Sequence, residues 1–463
     1  MKAVLQIATL VLSLSVAAQP FAVHPENPHY FLYDGKPTVL ITSAEHYGSV
    51  INLDFDYEKY LDTLAADSLN HTRVFVGPYR EAPGSFGIGN NVLAPRSESF
   101  ICAWQRSETP DAYDKLNKFD LTKFNPEFFT RLKNFCQYAK SRNIIIEITL
   151  FCPYYDNKIW KHSPLYPQNN INGLSDIPYT DVYKMANTKI VNIHTEFTRK
   201  IVTELNAFDN IYYEICNEPW VYNAEMPWQH HIIDTIVETE KTLPKKHLIS
   251  LNISNGYRVV TDPHPAVSIF NFHYASPPTA IAANFHLNLP IGLNETGFTG
   301  SNDATYRIQA WQFILAGGAL YNNLDYSFAP GHEDGLFKYD RHTPGGGSAD
   351  LRKQLKVLAE FINSFDLLKM KPANDVFKGI HTLNGTAFCL ANKPDAYAIH
   401  TAGFGEMYLY LDLPHAEYKT EWIDTKTGKI KKTEQVNHTK NELLLTAPKF
   451  KDDIALRITK IKN

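Results

Sequence analysis

Residues 126–151 read PEFFTRLKNFCQYAKSRNIIIEITLF. Pro126–Arg142 carries apolar residues at helical spacing, with Asn125 in place to cap the first turn. Asn143–Phe151 is a continuous apolar, β-branched run, which suits a parallel strand buried on both faces. A helix that feeds straight into such a strand is the repeating unit of an α/β fold.

The same alternation extends both ways. Upstream, Tyr30–Tyr33 and Thr38–Ile41 flank the turn pair Asp34-Gly35, Phe55–Leu69 is helical in spacing, and His71–Gly77 is strand-like. Downstream come a helix over Ala186–Phe208, a strand over Ile211–Cys216, a helix over Ala224–Thr242 and a strand over His247–Ile253. Strands over Val267–Phe272 and Leu289–Leu293 follow, with a short helical stretch near Ala280–His286 between them. A helix at Ala304–Ala316, a strand at Ala319–Leu324 and a helix at Ala349–Lys369, ended near Pro372, complete the series. Counted from Thr38 there are eight strands, mostly separated by helices, which predicts a closed (β/α)8 (TIM) barrel. The alternative is a doubly wound open sheet, which would carry a Gly-rich first turn that this chain lacks.

Beyond residue 371 the rhythm changes to short alternating segments: Ala387–Asn392, Ala396–Thr401, Met407–Leu413, Tyr418–Asp424, Leu443–Ala447 and Ile454–Ile461. Turn pairs such as Asn384-Gly385 and Thr427-Gly428 separate them, and the pattern predicts a small all-β sandwich over 371–463. At the other end, Lys2, the apolar run Ala3–Val16 and the small residues Ala17-Ala18 form the pattern of a signal peptide over 1–18. That leaves 19–370 for the barrel and a secreted or periplasmic location, with no membrane span expected in the mature chain. Five cysteines are too few and too odd in number for a disulfide scaffold.

Composition excludes several functions. The 463 residues include 45 Lys+Arg and 49 Asp+Glu, for a net charge of −4, with no basic run, so a nucleic-acid partner is not expected. No HExxH, CxxC, P-loop or Gly-x-Ser-x-Gly pattern is present, and neither metal nor cofactor is expected. The 13% aromatic content suits flat, neutral partners such as sugar rings, and a carbohydrate is the expected partner. Oligomeric state is not legible.

In a barrel, chemistry sits at the C-terminal ends of the strands. The fourth strand exits as Tyr212-Tyr213-Glu214-Ile215-Cys216-Asn217-Glu218-Pro219-Trp220, the seventh as Ile291-Gly292-Leu293-Asn294-Glu295-Thr296-Gly297. Each offers a Glu preceded by Asn, from strands that lie across the barrel mouth. Acetal hydrolysis needs such a pair: one carboxyl to protonate the leaving oxygen, the other ionised to attack the anomeric carbon. Glu295 is assigned as nucleophile and Glu218 as general acid/base. Arg73, ending the second strand, is placed to keep one carboxylate ionised, and Tyr274 to donate to the same group. Glu214, on the same side of its strand as Glu218, is expected to pair with Arg73 as a structural carboxylate.

The Asn217-Glu218-Pro219 motif, the Glu295 strand, Arg73 and His273-Tyr274 resemble clan A glycoside hydrolases, and among them the cellulase-like family 5 is the nearest match, over roughly residues 29–370. The resemblance implies a retaining (β/α)8 enzyme with the acid/base on strand four, the nucleophile on strand seven, and Asn217 on the sugar 2-hydroxyl. It implies a glucanase- or mannanase-like enzyme that cuts internally, with terminal cleavage by a β-galactosidase- or β-glucosidase-like relative as the alternative. A non-catalytic carbohydrate-binding barrel is a further alternative of another class. The chain departs from the family where strand three ends Thr149-Leu150-Phe151-Cys152 instead of in His. It departs again after strand eight, where Asn322–Phe328 replaces a Trp. Further substrate contacts are expected from Trp104 and Trp220 in long loops, from Glu45 and His46 after strand one, from His273, and from Asp325 after strand eight.

Overall fold

The computed structural model describes residues 20–222, 224–340 and 342–461, so the export signal expected over 1–18 lies outside the described residues. Among the described residues no helix is long and apolar enough to cross a membrane. Eight parallel strands form one sheet: β1 (Leu40–Ala44), β2 (His71–Phe75), β3 (Ile145–Phe151), β4 (Ile211–Cys216), β5 (Ile249–Asn255), β6 (Ile269–His273), β7 (Ile291–Glu295) and β8 (Leu320–Leu324). Their order is β1-β8-β7-β6-β5-β4-β3-β2, the cyclic order of a barrel. The seam between β1 and β2 is closed by a side chain. Asn70 Oδ1 accepts from Ile41 N at 2.9 Å, and Asn70 Nδ2 donates to Val39 O at 2.8 Å.

The helices α1 (Tyr57–Ala66), α2 (Pro126–Ser141), α3 (Thr188–Leu205), α4 (Met226–Lys241), α5 (Thr279–Asn284), α6 (Asp303–Leu315) and α7 (Ala349–Asn363) intervene except between β5 and β6. Asn125 caps α2 as expected, accepting from Glu127 N. The helix read as reaching Lys369 ends at Asn363, and a separate 3-10 turn covers Leu367–Lys369. The Asp34-Gly35 hairpin forms with both turn residues at positive φ, but its return strand stops at Thr38 and β1 starts afresh at Leu40.

The barrel interior is polar in layers. At the bottom His71 Nε2 lies 3.0 Å from Tyr212 Oη, and burial holds the His71 imidazole down at about 3, so it is neutral. Above it sits Glu147, at the centre of the apolar run that fixed β3. Its carboxyl accepts from Asn271 Nδ2 (2.8 Å), Ser250 Oγ (3.2 Å) and Asn294 Nδ2 (3.2 Å). Burial, and then the charge of Glu214, push Glu147 well above the usual carboxylate range and favour its protonated form. Gly292 is required here, because an added Cβ would stand 2.2 Å from Asn271 Oδ1.

The C-terminal region is a single antiparallel sheet of β9 (Phe377–Asn392), β10 (Ala396–Leu411), β11 (Ala416–Ile423), β12 (Ile430–His438), β13 (Leu443–Thr446) and β14 (Asp453–Lys460), with a short strand at Lys371–Pro372. Segments that read as separate strands are halves of longer ones. Ala396–Thr401 and Met407–Leu413, the latter as far as Leu411, both belong to β10, whose first half pairs with β14 and whose second half pairs with β13. Bulges in β9 let these long strands bend, so that one face of the sheet closes on a core containing Met407, Leu409, Trp422 and Leu456. β12 escaped the sequence reading because it is a mostly exposed polar edge strand, IKKTEQVNH.

This region docks on α6 and α7. Arg307 of α6 donates from Nε to both Asp453 oxygens at 3.1 and 3.2 Å, and His400 Nε2 lies 3.1 Å from Asp453 Oδ2. Trp311 stacks on the His400 ring, and Leu390, Ala398, Ile423 and Ala455 share the barrel's apolar core. Burial pushes the Asp453 carboxyl up, but the bonds from His400 and Arg307 outweigh it and hold the group down at about 2, against an ordinary value of 3.8. A depressed carboxyl contributes stability above its unfolded value and loses it as pH falls through the folded one. The stability gap between the wild type and Asp453→Asn should therefore shrink by roughly 2 kcal/mol between about pH 4 and pH 2. Denaturant unfolding at stepped pH reads this directly, and a gap that stays constant over that window contradicts it.

Candidate active site

The exits of β1, β2, β3, β4, β6 and β7 converge on one cavity of about 230 Å3, lined by His46, Tyr47, Glu81, Tyr155, Asn217, Glu218, Tyr274 and Glu295 among others. Glu218 and Glu295 face each other across it. One oxygen of each carboxylate and one ring nitrogen of His273 all lie within 4.8 Å of one another.

The two carboxylates have different surroundings. Glu295 Oε1 accepts from Tyr274 Oη at 2.7 Å, and Oε2 accepts from Tyr47 Oη at 3.0 Å and Arg73 Nη1 at 3.1 Å. Glu218 Oε2 accepts from Tyr155 Oη at 2.6 Å, and Oε1 lies 3.0 Å from His273 Nδ1. Among the described residues the other His273 nitrogen is buried without a partner, so the Nδ1–H tautomer is the one that satisfies the ring. Burial pushes the Glu218 carboxyl up, but the His273 hydrogen bond, the Tyr155 bond and the Arg73 charge outweigh it and leave the group below the ordinary glutamate value.

Arg73 is the hub beneath both. It is fully buried, pairs with Glu214 as the strand parity required, donates from Nη2 to Asn217 Oδ1 at 2.7 Å, and lies 3.8 Å from Glu147. Its guanidinium also covers the Tyr47 ring at 4.6 Å. Glu214 accepts further from Asn294 Nδ2 (2.6 Å), Thr149 Oγ1 (3.0 Å) and Asn252. Asn217 is thereby fixed, its Nδ2 donating to Tyr155 Oη at 3.0 Å.

Glu218, His273 and Glu295 are also the residues that a metal ion would find. The donor set fits one poorly. Arg73 already places a cation on Glu295, and Tyr155 and Tyr274 occupy further carboxylate oxygens.

The structure thus brings together Glu218, Glu295, Arg73, Asn217, His273, Tyr274 and His46. Four other expected contacts lie elsewhere. Trp104 is buried against Phe197 of α3, because its strand Trp104–Arg106 pairs with Phe119–Phe124 and turns the ring inward. Glu45 is fully buried with its oxygens taken by Gly48 N (3.0 Å) and Ser49 N (3.1 Å), and burial raises its carboxyl to about 7 despite those bonds. Asp325 is fully buried too, bonded by Arg352 Nη1 (2.7 Å) and Ser43 Oγ (2.9 Å), and braces the β8 exit. Trp220 packs edge-on to His273 at 5.4 Å and lines a neighbouring cleft instead.

Tyr47, Tyr79, Glu81, Phe86 and Phe298 line the cavity without having been singled out in the sequence. Tyr155, in the loop after β3, acts as a hydrogen-bond donor to Glu218. The backbone carries a mark of the site. Tyr47, Phe86, Glu218, Tyr274 and Phe298 all have positive φ, a region bulky residues enter only when their surroundings hold them there.

Residues 90–262 match a family model described as a domain of unknown function (DUF6298). No curated protein matches the chain by sequence. Solved structures match it in fold. A glycoside hydrolase family 5 protein from Bacteroides vulgatus superposes with a TM-score of 0.62 at 12% identity, covering 95% of this chain and 93% of that one. A structure described as a glycoside hydrolase gives 0.64 at 12% identity, covering 96% and 97%. The chain has the fold of these glycoside hydrolases. The shared length takes in the C-terminal sheet as well as the barrel.

Proposed function

We propose that the chain is an exported retaining β-glycoside hydrolase that cleaves the O-glycosidic bonds of an oligosaccharide or polysaccharide by double displacement. The observation that carries the reading is the pair of carboxylates just beyond β4 and at the end of β7, with oxygens within 4.8 Å of each other and unlike partners. Retaining enzymes hold their two carboxyl groups about 5–5.5 Å apart, whereas inverting ones leave about 6.5–9.5 Å for a water.

Glu295 is the nucleophile. Three donors, one of them cationic, stabilise its anion, and an anion is what must attack the anomeric carbon. Glu218 gives its proton to the departing oxygen, leaving a glycosyl ester on Glu295. It then takes a proton from the water that attacks the same carbon, which releases the sugar with Glu295 as leaving group. Its present hydrogen bonds hold Glu218 below the ordinary glutamate value, so binding of substrate must favour its protonated form. A sugar that fills the cavity expels water and strengthens the burial that already pushes this carboxyl up. Asn217 presents its fixed amide to the sugar, and residues 1–18 supply the export signal.

Hydrolysis of a panel of aryl β-glycosides and soluble β-glycans tests the reading. Turnover that is lost in Glu218→Gln with natural leaving groups is expected, and binding with no hydrolysis by the folded protein contradicts it. Tyr155→Phe gives a finer check. Loss of this donor favours the protonated form of Glu218, so the alkaline limb of the pH–rate profile should move up by about one unit. A limb that stays or moves down removes Glu218 from the acid role.

A further inference from the structure

An aromatic arch spans the mouth of the cavity. Phe86, from the loop after β2, meets Phe298, from the loop after β7, edge to face with ring centroids 6.3 Å apart. The contact continues from Phe86 to Tyr155 at 5.1 Å, and from Phe298 to Tyr274 at 6.5 Å and Tyr326 at 6.2 Å. Tyr155 and Tyr274 are the donors to Glu218 and Glu295, so the feet of the arch stand on the two carboxylates. Phe86 and Phe298 have φ of 55° and 53°, yet each remains 38% exposed. Core packing does not account for two strained phenylalanines held at the surface, whereas closing a mouth does.

Behind the arch stands a polar wall. Glu81 accepts from His46 Nε2 at 3.0 Å, from Tyr79 Oη at 3.3 Å and from Asn91. Its side chain is almost fully buried, and Glu81, His46 and Tyr79 all line the catalytic cavity. A carboxylate has about four acceptor positions, so Glu81 keeps capacity for a sugar hydroxyl. At about 230 Å3 the cavity is smaller than the roughly 300–1,000 Å3 of sites for larger ligands. An internal unit of a polymer needs an open groove on both sides of the reacting ring, and this cavity is bridged above and walled by Glu81.

We infer that the enzyme removes single sugar units from the non-reducing end of a β-linked chain, with the terminal ring beneath the Phe86–Phe298 arch and a hydroxyl remote from the anomeric carbon on Glu81. The end is fixed by chemistry: the enclosed ring must present its own anomeric carbon to Glu295, so the rest of the chain leaves outward as the alcohol. The inference rests on the glycosidase reading above and opposes the internal cleavage that the sequence resemblance implies.

The test uses the full chain. The 4-nitrophenyl β-glycosides of glucose, galactose, mannose and xylose identify the sugar accepted, and a β-linked hexaose of that sugar, labelled at its reducing end, follows the cut. The first labelled product should be the pentaose, with free monosaccharide. Glu81→Gln should lower kcat/KM on the aryl glycoside by on the order of 10- to 100-fold. In Phe86→Ala/Phe298→Ala, both substitutions being at exposed positions, the ratio of internal to terminal cuts should rise by on the order of tenfold. That ratio needs no correction for the amount of folded enzyme. Shorter labelled products from the first time point, in a wild type that Glu295→Gln silences, would overturn terminal action and leave the glycosidase reading intact. No hydrolysis of any aryl glycoside or hexaose by the folded protein would remove that reading, and the inference with it.

Discussion

Glu295→Gln should lower kcat by about 10^4- to 10^6-fold, the loss expected when a nucleophile is removed and the rest of its site stays in place. Gln keeps the shape of Glu, but its single carbonyl oxygen can accept on one side only, from Tyr274 or from Tyr47 and Arg73, and its amide cannot attack an anomeric carbon. Arg73 keeps its pairing with Glu214, so the fold should hold and the thermal midpoint should move little. Steady-state rates on an aryl β-glycoside, with unfolding followed in parallel, separate the two effects. Activity within tenfold of wild type would take Glu295 out of the nucleophile's role.

Arg73→Ala should destabilise the protein by about 3–5 kcal/mol, the cost of leaving buried charge without its partner. Here one guanidinium serves Glu214 and Glu295 by hydrogen bonds and stands 3.8 Å from Glu147, with no exposure of its side chain. Burial alone would lower the Arg73 pKa, and the charge of Glu214, then of its other neighbours, more than reverses this. Without Arg73 the floor must take up protons or water. Arg73→Lys should recover only part of the loss, because an ammonium cannot replace a fork that reaches Glu214, Glu295 and Asn217 together. Denaturant unfolding of the three proteins measures this, and a loss under about 1 kcal/mol for Arg73→Ala would mean that the floor holds its carboxylates neutral without it.

The line between what was legible and what was not follows the physics. The strands of the barrel could be read because burial on both faces writes a mostly apolar, β-branched run, as in Ile144–Phe151, where Glu147 and Thr149 are the polar exceptions. Glu218 and Glu295 could be placed at one cavity because both follow from strand ends, where sequence position is nearly spatial position, whereas Arg73, read as ending the second strand, is the middle residue of β2. Glu214 followed from pleat parity alone. The loops obeyed no such rule. Trp104 turned inward and Phe86 outward, although both lie in the same long loop after β2. Which of them meets the cavity depends on contacts with α3 and with the loop after β7, far away in sequence. Tyr47 was equally hidden, because a positive φ at a tyrosine has no signature in composition. In the C-terminal sheet, bulges divided long strands into what read as short ones, and the polar edge strand β12 lacked the alternation that marks a half-buried strand.

In the proposed reaction Glu295 and Glu218 act in two displacements at one carbon. The anomer first released from a β-glycoside, followed by proton NMR before mutarotation, tests it most directly. Two inversions give back the β-anomer, which is the predicted first product; the α-anomer as first product would mean a single displacement by water and would contradict the account.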